Sequence, residues 1–147
     1  MAPTIKAIKA REIISTGAFP TIETKVLLSD GTIGVASAPF GSSAGTHEPV
    51  TMVDGDRSRY HGLGMLKAVS NVEDKIAPKL IGSDVTKQVD LDRIMVEMDG
   101  TPNLASLGGN AIISVSLACA RAASRAMGVE LYEYLRPMFK NVGKEYR

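Results

Sequence analysis

The residues of this chain best suited to binding a ligand lie in segment 39–48, whose sequence is PFGSSAGTHE. Its two glycines and two adjacent serines offer backbone amides and hydroxyls, and a predicted β-hairpin precedes it as a rigid support. The segment has one imidazole but no lysine, cysteine or cluster of carboxylates. It is therefore suited to closing over a substrate or helping to hold a metal, and catalysis would need groups from elsewhere. From the residues alone, a polar surface connection explains it equally well.

Other residue types with catalytic or metal-binding potential do not form a recognised motif. Side chains of metal-ligand types occur close together at His47, Glu48, Asp54, Asp56 and His61. Their spacing matches neither the HExxH zinc motif nor a calcium loop, so turn-forming and capping roles are expected. Serines lie near His47, but no GxSxG motif surrounds them, and no nucleophilic triad is indicated.

The first third of the chain reads as β-structure that could support this segment. Residues 21–28 alternate, which places Ile22, Thr24, Val26 and Leu28 on one face of a strand. A Ser-Asp-Gly turn follows, and residues 32–38 resume an extended pattern with Ile33 and Val35 on one face. Residues 4–14 form a further predicted strand, which completes a three-stranded antiparallel meander.

The remainder of the chain reads as helical. A first helix has its apolar residues at helical spacing from Leu66 to Ile76, and Pro78 is predicted to stop it. A second helix is predicted around residues 91–98, with Asp84 as its N-cap and Asp99-Gly100 at its end. The longest helix is predicted over residues 108–127, where Ala, Ser and Gly indicate close packing, and Gly128 suits its C-terminal cap. Strands followed by helices indicate an α+β fold.

Composition excludes several classes of protein. The chain has 147 residues, 44% of them hydrophobic, and a net charge of +1 with no basic stripe, so neither nucleic acid nor a membrane surface is an expected partner. Its longest apolar run is shorter than the ~20 residues that a membrane helix needs. A single cysteine, Cys119, fits a reducing compartment and is expected to be a buried apolar residue. A soluble, cytoplasmic protein is expected.

Specific motifs along the chain resemble the N-terminal domain of the enolase (phosphopyruvate hydratase) family. In order, they read AREI, PTIE, the SDG turn, APFGSSAGTHE, DGDRSRYHGLG, LKAV, IAPKLIG, DGTPN, LGGNAIISVSLA and LYEYL. The resemblance covers residues 9–135 almost without interruption. It implies an α+β domain with a three-stranded antiparallel meander followed by a bundle of about four helices. The expected division is an enolase-like domain over residues 1–136 and a C-terminal tail over residues 137–147, where a barrel domain would begin.

The resemblance also implies a function. In this family a β/α barrel carries the metal-binding carboxylates, the lysine base and the acid that dehydrate 2-phosphoglycerate to phosphoenolpyruvate with two magnesium ions. The N-terminal domain contributes a mobile loop, which assigns substrate contacts to Gly41 and Ser42 and a magnesium ligand to Ser43. Arg11 and Glu23 match family residues used across a dimer interface.

Two aromatic residues depart from the family pattern. Phe40 stands where the family has a serine, and Phe19 lies in STGAFPT, which replaces DSRGNPT. Two hypotheses result. The first is a capping domain that is inactive alone and works with an enolase barrel, in the same chain or supplied separately, with a possible homodimer. The alternative is a diverged stand-alone module that binds another protein through an apolar patch enlarged by the two phenylalanines.

Overall fold

The chain forms a three-stranded sheet followed by helices, as predicted. The computed structural model describes residues 2–41 and 45–139. Strands β1 (Ile5–Ile14), β2 (Pro20–Leu28) and β3 (Ile33–Ala38) pair antiparallel in the order β1-β2-β3. The helices are α1 (Leu66–Ser70), α2 (Ala77–Leu80), α3 (Gln88–Asp99), α4 (Gly109–Met127) and α5 (Leu131–Leu135). A π-helical segment, Asn71–Ile76, joins α1 to α2, and short 3-10 turns lie at Tyr60–Gly62 and Arg136–Phe139. The α+β class with four helical runs is thereby confirmed.

One face of the sheet forms the core with α4. The four alternating residues of β2 predicted to share a face are all fully buried: Ile22, Thr24, Val26 and Leu28. The buried hydroxyl of Thr24 lies 2.7 Å from that of Ser114 on α4, so each polar atom has a partner despite its burial. The alternation of β2 therefore gave the buried face correctly.

Strand β3 meets α4 through its smallest residues. Gly34, Ala36 and Ala38 face the core, whereas Ile33 and Val35 lie half-buried on the outer face of the sheet. A Cβ atom on Gly34 would lie 2.5 Å from the backbone nitrogen of Ala122 and closer still to the carbonyl oxygen of Ala118. The strand and helix backbones therefore approach each other at a distance that only glycine permits at this position.

Two predicted helix boundaries were wrong. Pro78 does not stop the first helical run, which continues to Leu80. The π-helical segment before it already replaces the usual bonding, with the Ala77 amide donating to the Val72 carbonyl, and Pro78 occupies the first turn of α2, where a missing N–H is tolerated. Asp84 is not the N-cap of α3, which begins at Gln88.

Rather than capping α3, the carboxylate of Asp84 accepts hydrogen bonds from the Thr86 amide at 2.9 Å and the Thr86 hydroxyl at 2.7 Å, forming a local turn.

The helix ends at glycine were predicted correctly. Both α3 and α4 end as expected, at Gly100 and Gly128, each in the left-handed conformation.

Cys119 lies on α4 and is fully buried, as predicted. Burial raises the pKa of its thiol to about 12. Among the described residues, no single helix is long and apolar enough to cross a membrane. Within the described residues, α4 and Leu131–Phe139 reach the length and apolar composition of a membrane span only when taken together. The chain bends by 107° between these two segments.

Candidate functional site

A groove lies beside the predicted ligand-binding segment. It has a volume of about 590 Å³, and Gly41, which the sequence assigned to substrate contact, lies exposed at its edge. Ser42 and Ser43 fall outside the described residues. The lining residues are mostly apolar or small and come from four parts of the chain: residues 38–41, residues 48–53, Leu63 and the start of α4 at residues 109–113. The groove thus joins the predicted loop to the start of α4.

The two glycines of the LGGN motif explain how segment 49–52 reaches α4. A Cβ on Gly108 would lie 2.5 Å from the Cβ of Met52, and a Cβ on Gly109 would collide with Pro49. The Gly109 amide donates to the Val50 carbonyl at 2.8 Å. Larger residues at either position would push this wall of the groove away from the helix.

Asn110 fastens the same wall through its side chain. Its Oδ1 accepts a hydrogen bond from the Met52 amide at 2.9 Å, and its Nδ2 donates to the Met52 carbonyl at 3.1 Å. Asn110 is buried and Met52 is half-buried, so these bonds are partly shielded from bulk water. Nothing in the sequence had marked Asn110 as a site residue, because Met52 lies far from it along the chain. The adjacent glycines before a helix were the available signal.

A second set of polar contacts fixes the segment that precedes α1. Arg59 donates to Glu12 on β1 at 2.6 Å and contacts Asp54 at 3.3 Å. The hydrogen bond to Glu12 raises the pKa of Arg59, while burial opposes this rise. Glu12 also accepts the Met65 amide at 2.5 Å. This ion-paired cluster ties β1 to the loop before the helices, and sequence reasoning had not singled out Glu12.

Two of the acidic residues considered as metal ligands, Asp54 and Asp56, hold a helix start and a turn, as expected. The Asp54 carboxylate accepts the amides of Leu66 and Lys67 at 3.1 and 2.8 Å at the start of α1. Hydrogen bonds from Ser58 lower the pKa of Asp56. Across residues 2–41 and 45–139, no group of three or more His, Cys, Asp or Glu side chains could hold a metal ion. Magnesium prefers carboxylate oxygens, so the donors of the described chain do not make a magnesium site by themselves.

Asp99 organises the loop that leads into α4. Its carboxylate accepts the amides of Thr101 and Leu107 at 3.1 and 2.7 Å, and also the Thr101 hydroxyl. Burial alone would raise the pKa of Asp99, but these hydrogen bonds outweigh it and hold the pKa below its ordinary value. The turn that places Gly108 at the head of the helix therefore depends on an ionised carboxylate.

The remaining predicted residues pair with each other. Arg11 and Glu23 are cross-strand partners on the outer face of the sheet, with Arg11 Nη2 and Glu23 Oε1 2.7 Å apart.

Phe19 and Phe40, the two departures from the family pattern, stack with ring centroids 4.9 Å apart and planes inclined by 18°. Phe19 is still 40% exposed and Phe40 is half-buried, so the stack presents apolar surface at this position.

Comparisons with known proteins identify the family of this domain. The family model for the N-terminal domain of enolase matches residues 5–135. An enolase from Methanopyrus kandleri is 51% identical over 133 residues, which is 90% of this chain. The match covers 31% of that relative's length, so the chain spans less than a third of the curated protein that it resembles. The chain therefore belongs to the enolase family and contains its N-terminal domain.

Proposed function

We propose that this chain is the capping domain of an enolase that dehydrates 2-phosphoglycerate to phosphoenolpyruvate in glycolysis. The observation that carries the proposal is the match to the N-terminal third of an enolase, combined with a groove that opens beside Gly41. The domain supplies the loop that closes over the substrate and excludes water, while an enolase barrel, in the same chain or in trans, supplies the acid and base. A cytoplasmic location belongs to this proposal.

Within the proposal, the loop contributes three contacts. Gly41 and Ser42 approach the substrate, and the hydroxyl of Ser43 is one magnesium ligand, with the other ligands coming from the barrel. Magnesium stabilises the negative charge that develops on the substrate during such proton abstractions. Because the described residues contain no group of three or more His, Cys, Asp or Glu side chains that could hold a metal ion, we expect the chain alone neither to hold the ion nor to catalyse the reaction.

The proposed experiment is reconstitution in trans. A barrel-only protein is prepared by removing the matching N-terminal domain from the Methanopyrus kandleri enolase, and phosphoenolpyruvate formation is followed with increasing amounts of this chain. Activity should rise above that of the barrel alone and saturate. The Ser43→Ala variant should complement poorly, whereas Thr46→Ala, in the same loop, should behave as the parent chain. No gain in activity at any ratio would contradict the proposal.

We propose that the barrel docks on the groove and the adjoining face of α4. Val50, Ile113 and Leu117 are each more than one third exposed there, at 37%, 41% and 37%, although they are apolar. Such a surface beside a ligand-binding loop fits a domain interface. Ile113→Glu should weaken complementation without unfolding the chain. Val96→Glu, at a valine of α3 outside the groove that is 48% exposed, is the matched control and should leave complementation unchanged.

A homodimer is proposed for the assembled enzyme, through the outer face of the sheet. Lys9 and Lys25 are cross-strand partners there, beside the pair formed by Arg11 and Glu23. Like charges placed opposite each other on a sheet are unfavourable, and Lys9 is partly compensated by Glu73, whose Oε1 lies 3.7 Å from its Nζ. In a two-fold dimer the same face of the second copy meets this one, so its Glu23 is the acidic group that would lie against Lys25. Sedimentation of the reconstituted complex should show two copies of each domain, and Lys25→Glu should shift it towards one copy.

A further inference from the structure

The Phe19 ring is held by a tight turn between β1 and β2. The Ser15 amide donates to the Phe19 carbonyl at 2.8 Å, and the Ala18 amide donates to the Ser15 carbonyl at 2.9 Å. Ala18 has φ of 63°, a left-handed conformation that is uncommon for a residue with a Cβ. A backbone conformation of this kind persists only where its surroundings hold it. The turn therefore keeps the backbone of Phe19 in a defined position.

Phe40 lies where the chain leaves the sheet and enters the groove. It follows the last residues of β3, it is half-buried, and it is one of the residues that line the groove beside Gly41. Among the described residues, no hydrogen bond involves Phe40 or Gly41. The stacked ring of Phe19 is the aromatic partner of Phe40, and this contact links the stretch to the β1–β2 turn.

We propose that the Phe19–Phe40 stack is an anchor that fixes the start of the ligand-binding segment against the β1–β2 turn. In this arrangement Phe19 is a positioning residue for Gly41, which it reaches through Phe40. A stacked aromatic pair shifts an equilibrium between anchored and released positions by about 2- to 12-fold beyond the effect of its buried area. The anchor itself is independent of the proposed function, whereas its effect on substrate binding rests on it.

The first test measures backbone motion in the intact 147-residue chain by NMR relaxation. In Phe19→Ala, the order parameter of the Gly41 amide should fall from about 0.85 towards 0.6 or below. The Gly31 amide, in the turn between β2 and β3, is the internal control and should not change. Phe19→Tyr keeps an aromatic ring and should restore the parent value at Gly41. An unchanged Gly41 overturns the anchor, and so does an equal loss at both glycines, because Phe19 would then stabilise the whole sheet.

The second test uses reconstitution with the barrel. Phe19→Ala should raise the KM for 2-phosphoglycerate by about 2- to 12-fold and change kcat less, because a released Gly41 reduces the fraction of binding-competent loops. Phe19→Tyr should restore the parent KM. If the parent chain does not complement the barrel at all, the proposed function fails while the NMR result still decides the anchor. If it complements and KM is unaffected by Phe19→Ala, the anchor has no role in substrate binding.

Discussion

The two sides of α4 are held in different ways. On the sheet side, β3 contacts the helix through Gly34 and two alanines, and the fit depends on the absence of side-chain volume. On the loop side, residues 45–65 and 100–108 are held by side-chain oxygens, chiefly those of Glu12, Asp54, Asp99 and Asn110. The sheet side should therefore be sensitive to size and the loop side to polarity and pH. This difference separates the support of the domain from the part that forms the groove.

The largest effect is expected from adding volume on the sheet side. Gly34→Ala places a Cβ against the backbones of Ala118 and Ala122, which cannot move aside as a flexible side chain would. We expect a loss of about 3 kcal/mol in the free energy of unfolding, at the upper end of the usual cost of overpacking. Chemical denaturation measures it. Gly17→Ala makes the same chemical change where the nearest neighbour would be 3.5 Å away, and it should cost no more than about 0.5 kcal/mol.

The second effect tests the charge on the loop side. Asp99→Asn replaces one acceptor oxygen with a donor that faces the Leu107 amide, and the unpaired groups should cost about 1–3 kcal/mol at neutral pH. Because the pKa of Asp99 is lowered on folding, its contribution is fully present above its unfolded pKa of about 3.9 and is lost as the pH falls through the lower folded value.

Unfolding measured at neutral pH and below pH 4 checks both parts of this prediction. The variant should lose part of the acid dependence that the parent chain shows. Glu97→Gln, at an exposed position on α3, is the control for removing one carboxylate and should change the free energy of unfolding by less than about 0.5 kcal/mol. If Asp99→Asn keeps the acid dependence of the parent chain, the charge of Asp99 does not stabilise the loop side.

A smaller effect is expected at the start of α1. Asp54→Ala leaves the amides of Leu66 and Lys67 without their carboxylate partner. Loss of such a cap costs about 0.5–2 kcal/mol. The free energy of unfolding should fall by this amount, whereas Glu97→Ala, at an exposed position of α3, should change it by less than about 0.5 kcal/mol. Equal costs in the two variants would mean that Asp54 does not hold the loop.

The smallest effect on stability is expected from two arginines of α4 that make polar contacts with β3 on the sheet side. Arg121 and Arg125 donate from α4 to the carbonyls of Val35 and Ile33, at 2.7 and 2.6 Å, along the outer edge of β3. Replacing both with Gln should cost less than about 1 kcal/mol but expose an edge to which another strand can add. Sedimentation velocity should show concentration-dependent association of the double variant. Arg93→Gln on α3 should sediment as the parent chain does.

The sequence predicted the sheet side better than the loop side, for physical reasons. The alternation of Ile22 to Leu28 identifies a buried face because a strand repeats every two residues. Gly34, Ala36 and Ala38 carry a weak hydrophobic signal, so their burial was not predicted, and Pro78 was misread because the π-helical segment before it is not visible in the pattern. Asn110 and Glu12 contact residues more than fifty positions away along the chain, at Met52 and Met65, and no local pattern records such pairs.

The buried thiol of Cys119 can report local unfolding around α4. With a pKa of about 12, only about one thiol in ten thousand is ionised at pH 8, and that thiol is also shielded from reagents. Alkylation must therefore wait until α4 separates from its neighbours. Since the chain has a single cysteine, the rate of its alkylation reports how often and for how long this part of the fold opens, at one known position.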